Sequence, residues 1–226
     1  MNRLRLSIFL LAMTGPPQAA RAQDTAPLES SLPGRVEAAL RQAEAVVSLQ
    51  ADFVQDKIAP FLRKPLRSTG RVEVKGPCIR WTVEAPRPSV LLVSRQDIRV
   101  YYPEQSRMEI YEPDGALAGF ASSPLPRMAR LREQFDLRLD GEAWRDGFAL
   151  QLIPRADALR KHLSWVRVEV SDSDGIARRI VWADPDGERT EITLSGIRVN
   201  PDISDRRFTL APPEGTTVVR PLRRDP

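Results

Sequence analysis

The chain has few of the side chains that cross-link small domains or bind transition metals. It contains one cysteine, Cys78, and one histidine, His162, among 226 residues. A lone cysteine cannot form an internal disulfide, and a lone histidine excludes a metal site built from several histidines. We therefore expect no metal or other cofactor, and a fold that is stabilised by apolar burial and backbone hydrogen bonds.

The sequence also lacks a long apolar run. The run nearest the N-terminus, Leu6–Met13, has eight residues, far fewer than the roughly 20 that span a bilayer. It follows Arg3 and Arg5 and precedes Ala20-Arg21-Ala22, a small-x-small pattern typical of signal peptidase cleavage. We predict a signal peptide over residues 1–22 and export of the remainder as a soluble periplasmic protein, because no cysteine follows the cleavage site to carry an acyl anchor.

Net charge is nearly absent once the signal peptide is removed. Three arginines leave with residues 1–22, so the Lys and Arg total falls from 34 to 31 against 30 Asp and Glu. Nucleic-acid-binding domains usually carry a net positive face or stripe. We therefore expect no nucleic-acid partner, in spite of the high isoelectric point of the whole sequence.

Signatures of catalysis are missing as well. No Gly-x-Ser-x-Gly elbow presents a nucleophile, and no glycine-rich phosphate loop follows a strand. The segments 172–175 and 184–187 resemble calcium loops, but their Asp-Gly pairs are typical of hairpin turns. We predict that the protein is not an enzyme; an esterase that uses His162 is the weakest of three functional hypotheses.

Two segments show helical periodicity. Apolar residues recur at helical spacing between positions 32 and 47, with Ser31 as a possible cap and Pro33 in the first turn. A second helix is predicted over 124–135. Together they would form a lid, and its apolar residues are Val36, Leu40, Val47, Leu125, Met128 and Leu131.

The rest of the chain alternates between apolar and polar residues, the pattern of half-buried strands. After a strand that begins at Leu49, we predict strands over Thr69–Lys75, Ile79–Glu84, Ser89–Ser94, Ile98–Tyr102, Arg107–Tyr111, Phe135–Leu139, Phe148–Ile153, Trp165–Val170, Ala177–Trp182, Glu191–Val199 and, as a short last strand, Phe208–Leu210. Consecutive strands joined by two to five residues are antiparallel neighbours, because a parallel crossover needs many more residues.

About eleven such strands in one small domain must curl to bury their apolar face. The sequence therefore predicts a mainly β, antiparallel sheet curved around helices, with an apolar cavity between them. The candidate lining residues are Phe53, Val72, Val74, Ile79, Trp81, Val83, Val100, Tyr102, Met108 and Ile110. Pattern alone leaves two interpretations open, a ligand cavity or an ordinary dry core.

Several short motifs, in their order along the chain, resemble one family. They are Phe53-Val54-Gln55, the segment 65–70 (PLRSTG), Ile79-Arg80-Trp81 with Pro86, Tyr102-Pro103, Asp205-x-x-Phe208, and Pro212-Pro213-x-Gly215. Together they resemble the LolA-type periplasmic carriers of outer-membrane lipoproteins. The resemblance implies an open, unclosed barrel with a helical lid, residues 31–220 as the carrier domain, and acylated lipoprotein as cargo. It also implies an inner-membrane transporter as donor and an outer-membrane acceptor. We expect the protein to be a monomer. Residues 23–30 and 221–226 are predicted to be its flexible ends.

The sequence departs from the family at one position. The family has a lid-holding arginine near the turn at Gly76-Pro77, and this chain has Lys75 and Gly76 there. Lysine lacks the fixed fork of a guanidinium group, so Lys75 is only a candidate for gating the lid. The middle of the chain, residues 112–164, also matches poorly. These departures keep a second hypothesis open: a carrier or sensor of another envelope lipid or hydrophobic metabolite.

Overall fold

A computed structural model of the chain describes residues 33–111, 128–140 and 146–220. The predicted signal peptide (1–22), the two ends predicted to be flexible (23–30 and 221–226) and Leu125 lie outside these residues. Among the described helices, none has the length and apolar character needed to cross a membrane.

The described residues form three α-helices and twelve strands. The helices are α1 (Gly34–Glu44), α2 (Met128–Gln134) and α3 (Asp157–Arg160), with short 3-10 helices at Pro103–Gln105 and Asp205–Phe208. The strands are β1 (Ser48–Ile58), β2 (Leu66–Lys75), β3 (Cys78–Ala85), β4 (Ser89–Val93), β5 (Ile98–Tyr102), β6 (Arg107–Tyr111), β7 (Phe135–Asp140), β8 (Gly147–Pro154), β9 (Trp165–Ser171), β10 (Ala177–Ala183), β11 (Arg189–Val199) and β12 (Thr217–Val219).

All twelve strands belong to one open sheet. Its order is β12-β6-β5-β4-β3-β2-β1-β11-β10-β9-β8-β7, so β12 and β7 form its two edges. This confirms the predicted mainly β, unclosed architecture. Two details differ from the prediction. The last strand, β12, pairs with β6 in parallel. The predicted strand at 208–210 does not form, because Phe208 is the last residue of a 3-10 helix and no strand follows it directly. The parallel pairing is possible because the chain crosses the sheet between β11 and β12, and this connection is long enough to reverse the direction of the chain.

Side chains on one face of the sheet, the inner face, form two adjoining apolar clusters. The first lines β1–β6 and β11 and is called here the lining surface; Phe53, Trp81, Leu91, Val100 and Ile192 are among its buried members. The second covers β8–β10 and includes the buried helix residues Val36 and Leu40. Helix α1 therefore packs on the inner face of the second half of the sheet.

Helix α1 is shorter than its sequence pattern predicts. It ends at Glu44, and Val47 lies outside it with 66% of its surface exposed. The backbone N–H groups of Val47 and Ser48 donate to Asn200 Oδ1 at 2.9 and 3.3 Å, which holds this segment as the entry to β1. The assignment of Val47 to the lid is therefore wrong; its neighbour Val46 is buried in the lining surface instead.

The C-terminal segment 200–213, called here the strap, crosses the outer face of β2–β6. Arg80 and Arg99 donate to the strap carbonyls of Arg207 and Leu210 at 2.9 and 3.0 Å. Arg207 donates in turn to Glu73 of β2, with an Nη2–Oε2 distance of 2.5 Å. The hydrogen bond to the Glu73 carboxylate raises the pKa of the Arg207 guanidinium, although partial burial opposes this.

The strap also explains why the prediction assigned two residues of β6 to the wrong face of the sheet. Met108 and Ile110 lie on the outer face with Leu92, where Leu210 and Phe208 of the strap cover them. Their predicted place in the lining surface is therefore wrong. Successive residues of a strand point to opposite faces, so the inward positions of β6 are held by the odd-numbered residues 107, 109 and 111.

We expect Arg207→Met to lower the free energy of unfolding by about 3 kcal/mol, the lower end of the range for breaking a buried ion pair. The Glu73 side chain is only 5% exposed, so its carboxylate would stay buried without its hydrogen-bonded cation. The lower end applies because 47% of the Arg207 side chain is in contact with solvent. Urea unfolding followed by circular dichroism measures the change.

The double variant Glu73→Gln with Arg207→Met supplies the control. It removes the stranded carboxylate, so we expect it to be more stable than Arg207→Met alone by at least about 1 kcal/mol. Strictly additive losses from the two substitutions would contradict the ion pair as the anchor of the strap.

Candidate functional site

The candidate site is the lining surface on β1–β6. Hydrogen-bonded register places Ala51, Val72, Trp81, Leu91 and Val100 next to one another across five adjacent strands. Each of them is at most 5% exposed. Because side chains two residues apart share a face, the strands repeat this apolar row on either side and build a continuous surface.

One aromatic contact spans three strands of this surface. The rings of Phe53 on β1 and Trp81 on β3 meet edge to face, with centroids 5.0 Å apart. Gly70 lies between them on β2 as the register partner of Phe53. A Cβ placed on Gly70 would lie 3.0 Å from Cε1 of the Phe53 ring and would also overlap the Thr82 carbonyl. The glycine therefore lets the two rings meet over β2.

The structure brings together most of the predicted lining residues. Seven of them are buried in this one cluster: Phe53, Val72, Val74, Ile79, Trp81, Val83 and Val100. Tyr102 is partly buried against its edge. Their shared face is a structural finding, while their role in binding a ligand remains a prediction.

The predicted lid residues divide between two places. Val36, Leu40 and Leu131 are buried together in the cluster over β8–β10, so α1 and α2 do cover the inner face there. Met128 is the first residue of α2. Glu37 of α1 also pairs with Arg132 of α2 at 3.4 Å, which links the two helices.

Lys75, the gating candidate, contacts the strap. Its Nζ donates to the Ile203 carbonyl and pairs with Asp205, both at 2.7 Å. The side chain therefore holds the C-terminal segment against the end of β2. Among the described residues, its polar contacts are with the strap and not with α1 or α2, so the structure gives no support to a lid gate at Lys75.

Sequence reasoning missed a polar group at the β6 end of the lining surface. Glu109 Oε2 accepts hydrogen bonds from the hydroxyls of Tyr111 at 2.6 Å and Tyr102 at 3.5 Å. Glu109 Oε1 pairs with Arg107 Nη2 at 2.7 Å. The alternation Arg-x-Glu-x-Tyr over 107–111 is the signal that could have shown it, once the inward parity of β6 was known.

The ionisation of this polar group follows from burial. Burial and the neighbouring Glu109 carboxylate raise the pKa values of both Tyr102 and Tyr111, because each disfavours a phenolate. Both phenols are therefore neutral at physiological pH and donate to the carboxylate. Arg107 balances the single negative charge of Glu109.

No cluster of three or more potential metal ligands occurs in the part of the chain that the structure describes. The inner face instead offers apolar area with one polar rim. These features define the class of protein as an open, mainly antiparallel β-barrel with a largely apolar inner face; in closed barrels, the same architecture can enclose a ligand cavity.

Within that class the family is specific. Residues 44–211 match the family model for the outer membrane lipoprotein carrier protein LolA. The chain belongs to the LolA family, a family of carrier proteins.

Individual relatives agree with this membership. The chain is 28% identical over 174 residues to an outer-membrane lipoprotein carrier protein of Dechloromonas aromatica strain RCB, covering 76% of this chain and 81% of that protein. It is 27% identical over 187 residues to one from Chromohalobacter salexigens, covering 78% and 82%. The crystal structure of an uncharacterized conserved protein from Thermus thermophilus superposes with a TM-score of 0.54 at 15% identity, over 81% of this chain and 98% of that one, and supports the fold alone.

Proposed function

We propose that the protein carries lipoproteins across the periplasm by binding their acyl chains to the lining surface. The observation that carries this proposal is the apolar face on β1–β5, whose rows of buried side chains run across the strands. Membership of the LolA family and relatives named as outer-membrane lipoprotein carriers support the same cargo.

A cargo with acyl chains needs an apolar enclosure to cross an aqueous compartment. Each acyl methylene that is removed from water contributes about 0.8 kcal/mol, so a lipoprotein with several chains does not cross an aqueous compartment unaided. The lining surface is buried in this structure, so it must become exposed when cargo enters. In this proposal α1 and α2, which cover the adjoining part of the inner face over β8–β10, are the moving lid. An inner-membrane transporter is the donor and an outer-membrane protein is the acceptor.

Native mass spectrometry of the full-length gene product, purified from the periplasm of a Gram-negative host, tests the proposal. Denaturing extraction should release triacylated polypeptide. Free lipid without polypeptide would favour the alternative, a carrier or sensor of another envelope lipid. Failure to bind a synthetic triacylated lipopeptide in vitro would refute the lipoprotein carrier.

A matched pair on β4 tests where the cargo binds. Leu91 points into the lining surface, whereas the adjacent Val90 packs on the outer face. We expect Leu91→Gln to weaken lipopeptide binding at least tenfold, because a buried amide without a partner opposes apolar contact. Val90→Gln should stay within about threefold of the unsubstituted protein; fluorescence titration measures both affinities.

Thermal unfolding must show that both variants are folded at the assay temperature. If Leu91→Gln is not, Val100→Thr introduces a single hydroxyl at the next strand with little change of volume, and we expect a loss of about threefold. Equal losses from the inner and the outer substitution would mean that the cargo does not bind the lining surface.

A further inference from the structure

Two buried polar atoms at the rim of the lining surface have no hydrogen-bond partner among the described residues. They are Ser89 Oγ and Arg107 Nε. Ser89 is only 1% exposed and shares its face of β4 with Leu91 and Val93. Buried polar atoms in folded proteins nearly always have partners, so each exception calls for an explanation. Two ligand atoms that accept hydrogen bonds would satisfy these groups, since each group can donate.

Register places these groups in one row. Val90 lies opposite Tyr101, and Tyr102 lies opposite Arg107, so Ser89, Tyr102 and Arg107 occupy consecutive strands on the inner face. Adjacent strands are about 4.8 Å apart, which puts the backbones of the outer two members of the row roughly 10 Å from each other.

The same row continues into the apolar surface. Ser89 is the register partner of Val83, which in turn is opposite Gly70 beneath the Phe53 ring. A ligand that follows this row therefore meets apolar side chains over β1–β3 and polar donors over β4–β6. This order matches a molecule with acyl chains at one end and hydrogen-bond acceptors directly next to them.

Charge indicates the kind of acceptor. Arg107 and Glu109 form an ion pair at 2.7 Å, and the raised pKa values of Tyr102 and Tyr111 keep both phenols neutral. The polar group therefore has two hydrogen-bond donors without a partner, Ser89 Oγ and Arg107 Nε, but carries no net positive charge. A phosphate would require an unpaired cation for its charge, whereas the carbonyl of an ester needs only donors.

The geometry points to a binding site for the ester carbonyls of a diacylglyceryl group, formed by the Ser89 hydroxyl and the Arg107 Nε–H. This inference rests on the proposed carrier function. It adds that the ester groups are the part of the cargo that fixes the position of the cargo on the protein. The acyl chains lie on the lining surface, and the esters, where the chains join glycerol, lie at the β4–β6 rim.

Short-chain lipids with and without ester carbonyls test the site. The full-length gene product is titrated with 1,2-dioctanoylglycerol and with the matching dioctyl ether, and displacement of an apolar fluorescent probe reports binding. We expect the diester to bind roughly tenfold more tightly than the diether, because only the diester accepts both hydrogen bonds.

Variants assign the preference to the two donors. Ser89→Ala and Arg107→Lys should each reduce the ester preference to about threefold. Arg107→Lys keeps a positive charge beside Glu109 but replaces the guanidinium group, with its Nε–H, by an ammonium group. Ser195→Ala, an exposed serine on β11, is the matched control and should leave the preference unchanged.

Three outcomes would overturn the inference. Equal affinities for diester and diether would remove the ester site, while continued binding of the triacylated lipopeptide would leave the carrier function standing. Tighter binding of dioctanoyl phosphatidic acid than of the diester, retained by Arg107→Lys but abolished by Arg107→Met, would mean an anion site instead. If neither the lipids nor the lipopeptide binds, the carrier function itself fails.

Discussion

Gly175→Ala is expected to release helix α1 from the sheet and to lower the free energy of unfolding by about 3 kcal/mol. Gly175 lies in the turn between β9 and β10 with a φ of +69°, a conformation that disfavours side chains. A Cβ there would lie 1.8 Å from the Ala39 carbonyl oxygen of α1. Helix and turn therefore cannot keep their present distance.

Hydrogen exchange with mass spectrometry distinguishes this effect from general destabilisation. Amides of residues 34–44 should exchange faster in the variant, while those of β8 and β9 remain protected. Unchanged protection of α1 would contradict the close contact at Gly175.

Gly70→Ala is the second substitution with a large expected effect. Its Cβ would lie 1.9 Å from the Thr82 carbonyl oxygen of β3 and 3.0 Å from the Phe53 ring. Moving the backbone of the adjacent strand is energetically costly. We therefore expect the free energy of unfolding to fall by about 3 kcal/mol, at the upper end of the range for an overpacked core. Urea unfolding measures the loss, and near-ultraviolet circular dichroism reports the displaced Trp81 ring.

Gly34→Ala is the matched control for both glycines. Gly34 begins helix α1, and a Cβ added there would have no heavy atom within 4 Å. We expect a change below about 1 kcal/mol, in the stabilising direction because alanine favours helix. A loss at Gly70 no larger than the change at Gly34 would show that the sheet has room between β2 and β3.

Much of the candidate site could be predicted because apolar side chains recur at alternate positions on β1, β2, β3 and β5. On these strands, large apolar side chains such as Phe53, Trp81 and Val100 do point the same way. On β6 both parities contain apolar side chains, Met108 and Ile110 on one and Tyr111 on the other. Alternation shows that the strand has two faces but not which is inside, so the polar group around Glu109 was missed.

The resemblance to the LolA family implied the unclosed form of the sheet. Local sequence patterns were sufficient to predict a mainly β fold with an antiparallel sheet, the hairpin order of its strands and the apolar residues of most of its inner face. These features follow from local spacing and short connections. Three others became visible only in the folded chain: the strap covers the outer face, Lys75 and Arg207 hold it, and β12 pairs with β6 in parallel. They depend on contacts between residues more than a hundred positions apart, such as Lys75 with Ile203, and local periodicity contains no information about them.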